Sequence, residues 1–342
     1  MPSIAKIIEW VSDVQKLSPS APFMIHGKPG EGKSDCCFDI AANLNIRPER
    51  VLRVHLNQFD VVALGGVPEV AHHEPTNTRV TVFRPTDIFA AYAEGTGPGV
   101  IILEEAAVAD RDIQQYIAGF VLERETSNFK LDPQVRILLT GNRAEDRSGA
   151  KPLLAHLNDR LYHVDMETNL DDWCAWAIDH GGVDHLGIAF LRLRPALLND
   201  FQPDRRSNPT QRSWTKLFTE VPTTMEPQGY LAIATGKVGE GAAAEWVAAR
   251  ELMHRMPSVD AIRSAPNQVE VPAEAAVRFA ISTALSMTST VDTFSLDMNY
   301  MSRFTREFQM VYVTDSLRRD PQLGMTPDFV SWSQKNQDIF FG

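Results

Sequence analysis

Residues 27–34 read Gly27-Lys28-Pro29-Gly30-Glu31-Gly32-Lys33-Ser34, a complete G-x-x-x-x-G-K-[ST] pattern. Such a loop wraps phosphates with successive backbone N–H groups, and the helix N-terminus that follows adds partial positive charge. Gly27, Lys28, Pro29, Gly30, Glu31, Gly32, Lys33, Ser34 and Asp35 are therefore candidates for contact with a nucleotide. Lys33 would reach the β- and γ-phosphates and the Ser34 hydroxyl would hold Mg²⁺. About 70 residues further on stand Glu104 and Glu105, directly after the apolar run Gly99-Val100-Ile101-Ile102-Leu103. Two carboxylates at the C-terminal end of a parallel strand face the crevice where ligands bind. Glu104 is expected to hold the Mg²⁺ or its water, and Glu105 to polarise an attacking water; acidic pairs also cap helices, which is the plainer alternative. Asn142, in Thr140-Gly141-Asn142-Arg143, could orient water beside a terminal phosphate, although a Gly-Asn pair alone is also a turn.

These residues need elements to position them. Pro22-Phe23-Met24-Ile25-His26 suits a buried strand before the glycine loop, and Asp35 to Leu44 suits a helix after it. Ile4 to Val11 reads as an amphipathic helix, and Asp110 to Leu122 as another, with Ile113, Tyr116, Ile117 and Phe120 on one face. Further strands are expected over Val51–Leu56, Gly99–Leu103, Arg136–Thr140 and Leu161–Val164. Residues 60–83, rich in Gly, Pro and His with β-like ends, read as an inserted loop or hairpin. Apolar strands alternating with helices imply a mostly parallel sheet with helices on both faces. From about Leu170 the runs become helical: Trp173–Ala177, Gly187–Arg194, Gly241–Met256, Ala273–Met287 and Met301–Arg318. A domain boundary is expected near residue 168.

The 342 residues carry a net charge of −11, with 44% hydrophobic and 23% charged residues, as in an ordinary soluble globular protein. No apolar run approaches the roughly 20 residues of a membrane span, and Met1 to Lys6 lack a basic n-region followed by an apolar core. A cytoplasmic protein with no membrane partner is expected. The acidic balance argues against nucleic acid as a partner, since the basic residues cluster only in pairs such as Arg205 and Arg206. Cys36, Cys37 and Cys174 cannot make a disulfide framework and read as reduced packing residues.

Taken together these residues resemble the AAA+ ATPases, and within them the MoxR group, over nearly the whole chain. The phosphate loop is Gly27–Ser34 and the second acidic motif Ile101 to Glu105. Asp60-Val61-Val62-Ala63-Leu64-Gly65-Gly66-Val67-Pro68 looks like that group's D-x-x-x-L-x-G-x-P insertion. Leu122 to Pro133 resembles the hairpin before the sensor strand, and Thr140 to Arg143 the first sensor. Leu157-Asn158-Asp159-Arg160-Leu161 resembles an L-x-x-R-F stretch, which implies that Arg160 is a finger contributed to a neighbouring subunit. Leu170 to Trp173 resembles the entry to the helical lid, Val238 to Glu245 a later part of it, and Pro209 to Trp214 its second sensor with Arg212 reaching the γ-phosphate.

The resemblance implies an α/β P-loop AAA+ core with a parallel five-stranded sheet flanked by helices over 1–168, with insertions near 60–83 and 123–135. A mainly helical lid and C-terminal region over 169–342 would follow. It further implies ATP and Mg²⁺ as cofactors and an oligomeric ring, a hexamer, that remodels or chaperones a client protein beside a partner with a von Willebrand factor A domain. The chain departs from the group in three places. Glu104 stands where Asp is usual, which moves the ligand oxygen by about 1 Å. Ala106-Ala107-Val108 replaces an Asn-Arg pair, and Leu161 replaces Phe. The rival readings are a nucleotide-binding scaffold with weak hydrolysis, which the Glu104 substitution favours, and a nucleic-acid motor or loader, which the net charge disfavours.

Overall fold

The computed structural model describes residues 3–84, 87–126, 129–143, 151–167, 169–179 and 182–337. The chain divides into two compact units, Met1–Thr168 and Asn169–Gly342.

The first unit runs α1 (Ile4–Leu17), β1 (Phe23–His26), α2 (Lys33–Asn43), β2 (Val51–His55), α3 (Val61–Gly65), β3 (Val67–His73), β4 (Thr78–Arg84), α4 (Asp87–Ala90), β5 (Gly99–Glu104), α5 (Arg111–Glu123), β6 (Val135–Gly141), α6 (Ala155–Asn158) and β7 (Tyr162–Asp165). Five strands form one sheet in the order β2-β5-β6-β1-β7, with every neighbouring pair parallel. The alternation of side chains along a strand divides the apolar runs between two cores. Phe23, Ile25, Val100, Ile102 and Leu138 pack with Ile7, Val11, Cys37 and Ile40 of α1 and α2. Met24, Val54, Ile101, Leu103, Ile137 and Leu139 pack with Ile113, Ile117 and Val121 of α5. Coverage on both faces is why β5 and β6 are buried along their whole length, with the apolar runs 100–103 and 137–139 at their centres.

The segment expected as an inserted loop or hairpin is a two-stranded antiparallel hairpin, β3 with β4, in the register Val67↔Arg84 to His73↔Thr78. The second insertion pairs antiparallel over a shorter length: Glu125 bridges Lys130, Leu131 N bonds Arg124 O at 2.8 Å, Thr126 N bonds Phe129 O at 2.9 Å, and Ala93 bridges Leu131. Arg124, in the left-handed region at φ 55°, ends α5. Its Nη2 donates to Asp132 O (3.1 Å) and Val135 O (2.5 Å), which ties the base of this segment to the start of β6.

The second unit contains α7 (Leu170–Asp179), α8 (His185–Leu193), α9 (Gln211–Glu220), α10 (Pro227–Val238), α11 (Glu240–Met253), α12 (Val259–Ser264), α13 (Ala275–Thr288), α14 (Val291–Met301), α15 (Arg306–Arg319) and α16 (Pro327–Lys335). Its core is aromatic: Phe190 lies 5.4 Å from Trp214 and 5.3 Å from Trp246, and Phe218 lies 5.1 Å from Trp246. Gly187 lets Phe218 approach, since a Cβ there would meet the ring at 2.7 Å. The helical run expected over Met301–Arg318 begins later, as α15. The preceding helix α14 ends at Met301, and Thr305 in an extended conformation stands at the N-cap of α15. No helix among the described residues is long and apolar enough to cross a membrane.

The entry to β5 and β6 is fixed by two charges. Arg50 stacks on Tyr92 (4.8 Å) and donates to Ala91, Gly97 and Pro98 carbonyls. Asp132 accepts from Gln134 N (2.9 Å), Gly97 N (2.8 Å) and Gly95 N (3.1 Å). The Gln134 N–H foremost, then the two glycine amides and Arg50, hold its carboxyl below the usual range. Replacing Asp132 by Ala leaves three amides without their acceptor and should destabilise the first unit by about 1–3 kcal/mol in chemical denaturation at neutral pH. The native state binds fewer protons at Asp132 than the unfolded chain, so this difference should shrink as pH falls below about 4.

Candidate functional site

β1 delivers the chain to the C-terminal edge of the sheet, where Gly27 N–H reaches Gly141 O of β6 at 3.4 Å. Gly30 and Gly32 then take φ of 79° and 83°, which a side chain would strain, and α2 begins at Lys33. No side chain caps this helix, so its first amides are available to an anion. Lys33 Nζ donates to Gly27 O (2.8 Å), Lys28 O (2.7 Å) and Asn142 Oδ1 (2.7 Å). Lys28 and Pro29 are half-buried, and Asp35 is exposed on the first turn. Glu31 turns inward, is 3% exposed and accepts Lys28 N–H at 2.7 Å. Burial pushes its carboxyl up, against the pull of that bond and of Lys33, Lys28 and Arg143. A Cβ at Gly27 would crowd Met166 O at 3.2 Å and displace the Glu31 carboxylate, whose Oε2 would lie at 2.9 Å.

Glu104 ends β5 and is 3% exposed. Its Oε2 pairs with Arg53 Nη2 (2.8 Å) and His55 Nδ1 (2.9 Å) of β2, the neighbouring strand. Its Oε1 is buried with no hydrogen-bond partner among the described residues. Glu104 also lies beside α2: the Cys37 thiol, one turn beyond Lys33, is pushed well up by burial first and also by Cys36 and the Glu104 charge. One buried carboxylate oxygen without a partner and the half-buried Ser34 on the first turn of α2 are hard oxygen donors. They fit a Mg²⁺ ion that keeps several waters. Glu105 follows in the left-handed region at φ 61°, is exposed, and accepts a hydrogen bond from Asn57 Nδ2. A non-glycine residue held there is strained, a state that persists at functional sites.

Asn142 and Lys33 are thus brought into contact, and Glu104 is brought beside α2. Arg160 is held instead by α5, where its Nη1 donates to Ala118 O at 2.5 Å. Arg212 belongs to the second unit, exposed on the first turn of α9, whose N-terminus Thr210 and Ser213 close as a capping box.

Several residues at the site escape sequence reasoning. Arg53 and His55 are polar positions two apart in an apolar strand, a visible signal without a target until the strand order places β2 against β5. Arg143 donates to Asp165 Oδ1 (3.1 Å) and Met166 O (2.9 Å), tying the exit of β6 to that of β7. His26, the last residue of β1, shares a hydrogen bond with His163 of β7, Nε2 to Nδ1 at 2.8 Å.

This sheet order, with a glycine loop and helix following the strand fourth in line, defines the architecture. The first unit has a P-loop fold, a parallel five-stranded sheet flanked by helices. No family model matches the chain, and no curated protein matches it. Among solved structures, the chain is similar to a DNA polymerase III gamma subunit-related protein from Thermotoga maritima, with 13% identity, a TM-score of 0.38, and coverage of 91% of this chain and 99% of that one. It is also similar to two mutants of Thermotoga maritima RuvB. One has 12% identity, a TM-score of 0.39 and coverage of 88% and 86%. The other has 13% identity, a TM-score of 0.37 and coverage of 88% and 90%.

The His26 imidazole is held below its ordinary pKa of 6.5, by burial first and then by His163. Below that value the unfolded chain takes up a proton that the folded chain refuses. Folding stability should therefore fall as pH drops from about 7 through the lowered native pKa. Denaturation of wild type and His26→Gln side by side from pH 7.5 to 5 should show a shallower pH slope in the variant.

Proposed function

We propose that this chain is an ATP hydrolase of the AAA+ type and the MoxR group, acting in the cytoplasm as a ring that remodels a client protein. The observation that carries this reading is the 2.7 Å bond between the Lys33 ammonium and Asn142 Oδ1. It joins the phosphate loop to the sensor position at the sheet edge where such folds bind ligands.

The loop amides and the start of α2 would bind the phosphates, with Lys33 exchanging its bonds to Gly27 O and Lys28 O for phosphate oxygens. Mg²⁺, when bound, would neutralise charge on the phosphate oxygens, and Ser34 and Glu104 Oε1 are the residues that would hold it. Glu105, braced by Asn57, would accept the hydrogen bond of the attacking water, and Asn142 would orient that water against the γ-phosphate. By resemblance, Arg160 acts on the nucleotide of a neighbouring subunit in a hexamer and Arg212 serves as the second sensor. The exposed β3–β4 hairpin, with Val67 and Val70 in solvent, offers apolar side chains to a client. A partner with a von Willebrand factor A domain belongs to the same reading. The net charge of −11 supports a protein client over a nucleic acid.

Arg160→Ala should keep ATP affinity and lose turnover by about 10³-fold or more, as expected of an arginine finger. Lys33→Ala should lose ATP binding. Mixing the two inactive variants should restore part of the turnover, since the second supplies Arg160 to a site built by the first. A mixture as inactive as its components would contradict shared sites.

A further inference from the structure

His163 and His26 stand at places that no role above requires. His26 is the residue before Gly27, and His163 lies on β7, where the register sets Met24 opposite His163 and His26 opposite Asp165. The two histidines are thus diagonal neighbours on one face of the sheet, with ring centroids 5.1 Å apart and planes inclined by 23°. His163 Nε2 lies 2.9 Å from the carbonyl oxygen of Asn158.

A carbonyl only accepts, so His163 must carry its proton on Nε2. In the neutral ring Nδ1 is then bare and accepts from His26 Nε2–H. Burial and the neighbouring His163 both favour the uncharged form of His26. The donors therefore run in one direction, from His26 to His163 to Asn158 O.

Asn158 is the last residue of α6, and its carbonyl also accepts from Leu161 N at 3.4 Å. That turn, 158–161, carries Arg160, whose own N–H bonds Leu157 O at 3.1 Å and whose Nη1 donates to Ala118 O of α5 at 2.5 Å. The carbonyl held by His163 is accordingly the pin of the turn that carries the arginine. We infer that His163 is a positioning residue, linking the entry of the phosphate loop through His26 to the turn that presents Arg160 to a neighbouring subunit. The inference rests on the ATPase reading above and adds to it a physical route from the nucleotide of one subunit to the arginine serving the next.

The test uses two substitutions in the full chain. Leu at 163 fills the space and bonds to neither partner. Gln can accept through Oε1 from His26 and donate through Nε2 to Asn158 O, so it preserves the link. His163→Leu should leave the affinity for a fluorescent ATP analogue within about twofold and lower kcat by about tenfold or more, because a misplacement of order 1 Å is costly in a positioned group. His163→Gln should keep kcat within about threefold of wild type. A Leu variant with wild-type kcat, a Gln variant as slow as the Leu variant, or a loss confined to affinity would overturn the inference. A wild type that binds ATP and does not turn it over would overturn the ATPase reading, and the inference with it. In that case the failure shows in the unmodified protein and not in the difference between variants.

Discussion

The Lys33 ammonium depends on oxygen atoms that sequence distance keeps far apart, two from its own loop and one from Asn142, more than a hundred residues on. That constraint holds only because β6 lies directly beside β1 in the sheet. The order β2-β5-β6-β1-β7 places the loop after β1 between the exits of β6 and β7. It also places the carboxylates after β5 one strand further out, against the flank of α2. The Arg50 and Asp132 braces at the opposite edge, and the apolar cores on both faces, serve the same end by fixing the strands whose exits form the site.

Charge is managed with similar economy. Glu104 is longer than the Asp usual in the resembled group, and two residues of β2, Arg53 and His55, both hold its Oε2. The other oxygen is left facing the interior with no partner among the described residues. A buried carboxylate needs pairing to be tolerated, and a single open oxygen is what a cation ligand requires. The carboxylate is thus held through one oxygen, and the other remains open to a cation. Glu105, by contrast, is exposed and strained, free to face water.

Much of this was legible in the sequence where the signal is contiguous. The phosphate loop, its strand and its helix lie within some twenty residues, and β5 and β6 read clearly because burial on both faces gives them unbroken apolar centres, 100–103 and 137–139. Asn142 was legible because it closes such a strand. What could not be read depends on register between distant strands: His26 with His163, and Arg53 and His55 with Glu104, meet only once the strand order is known. In the second unit, α10 buries Tyr230, Ala234 and Val238 on one face but leaves Leu231 and Ile233 exposed, and α14 buries the polar Asp297 and exposes Val291 and Leu296. The apolar pattern of the sequence is blurred there, unlike that of α5. The 123–135 segment folds back on itself as a short antiparallel turn, with Leu131 N bonded to Arg124 O and Thr126 N to Phe129 O, and the Arg124 guanidinium ties its base to Asp132 O and Val135 O.

The central claim is that a catalytic site assembled on this chain is completed by another copy of it. The most direct measurement is ATP turnover per subunit, with Mg²⁺, across a wide range of protein concentration, beside Glu105→Gln as the control for contaminating activity. The specific rate should climb with concentration to a plateau as subunits assemble, and be absent in the control. A specific rate that stays constant down to concentrations where the chain is monomeric would contradict the shared site, and ATP binding with no turnover at any concentration would contradict the hydrolase itself.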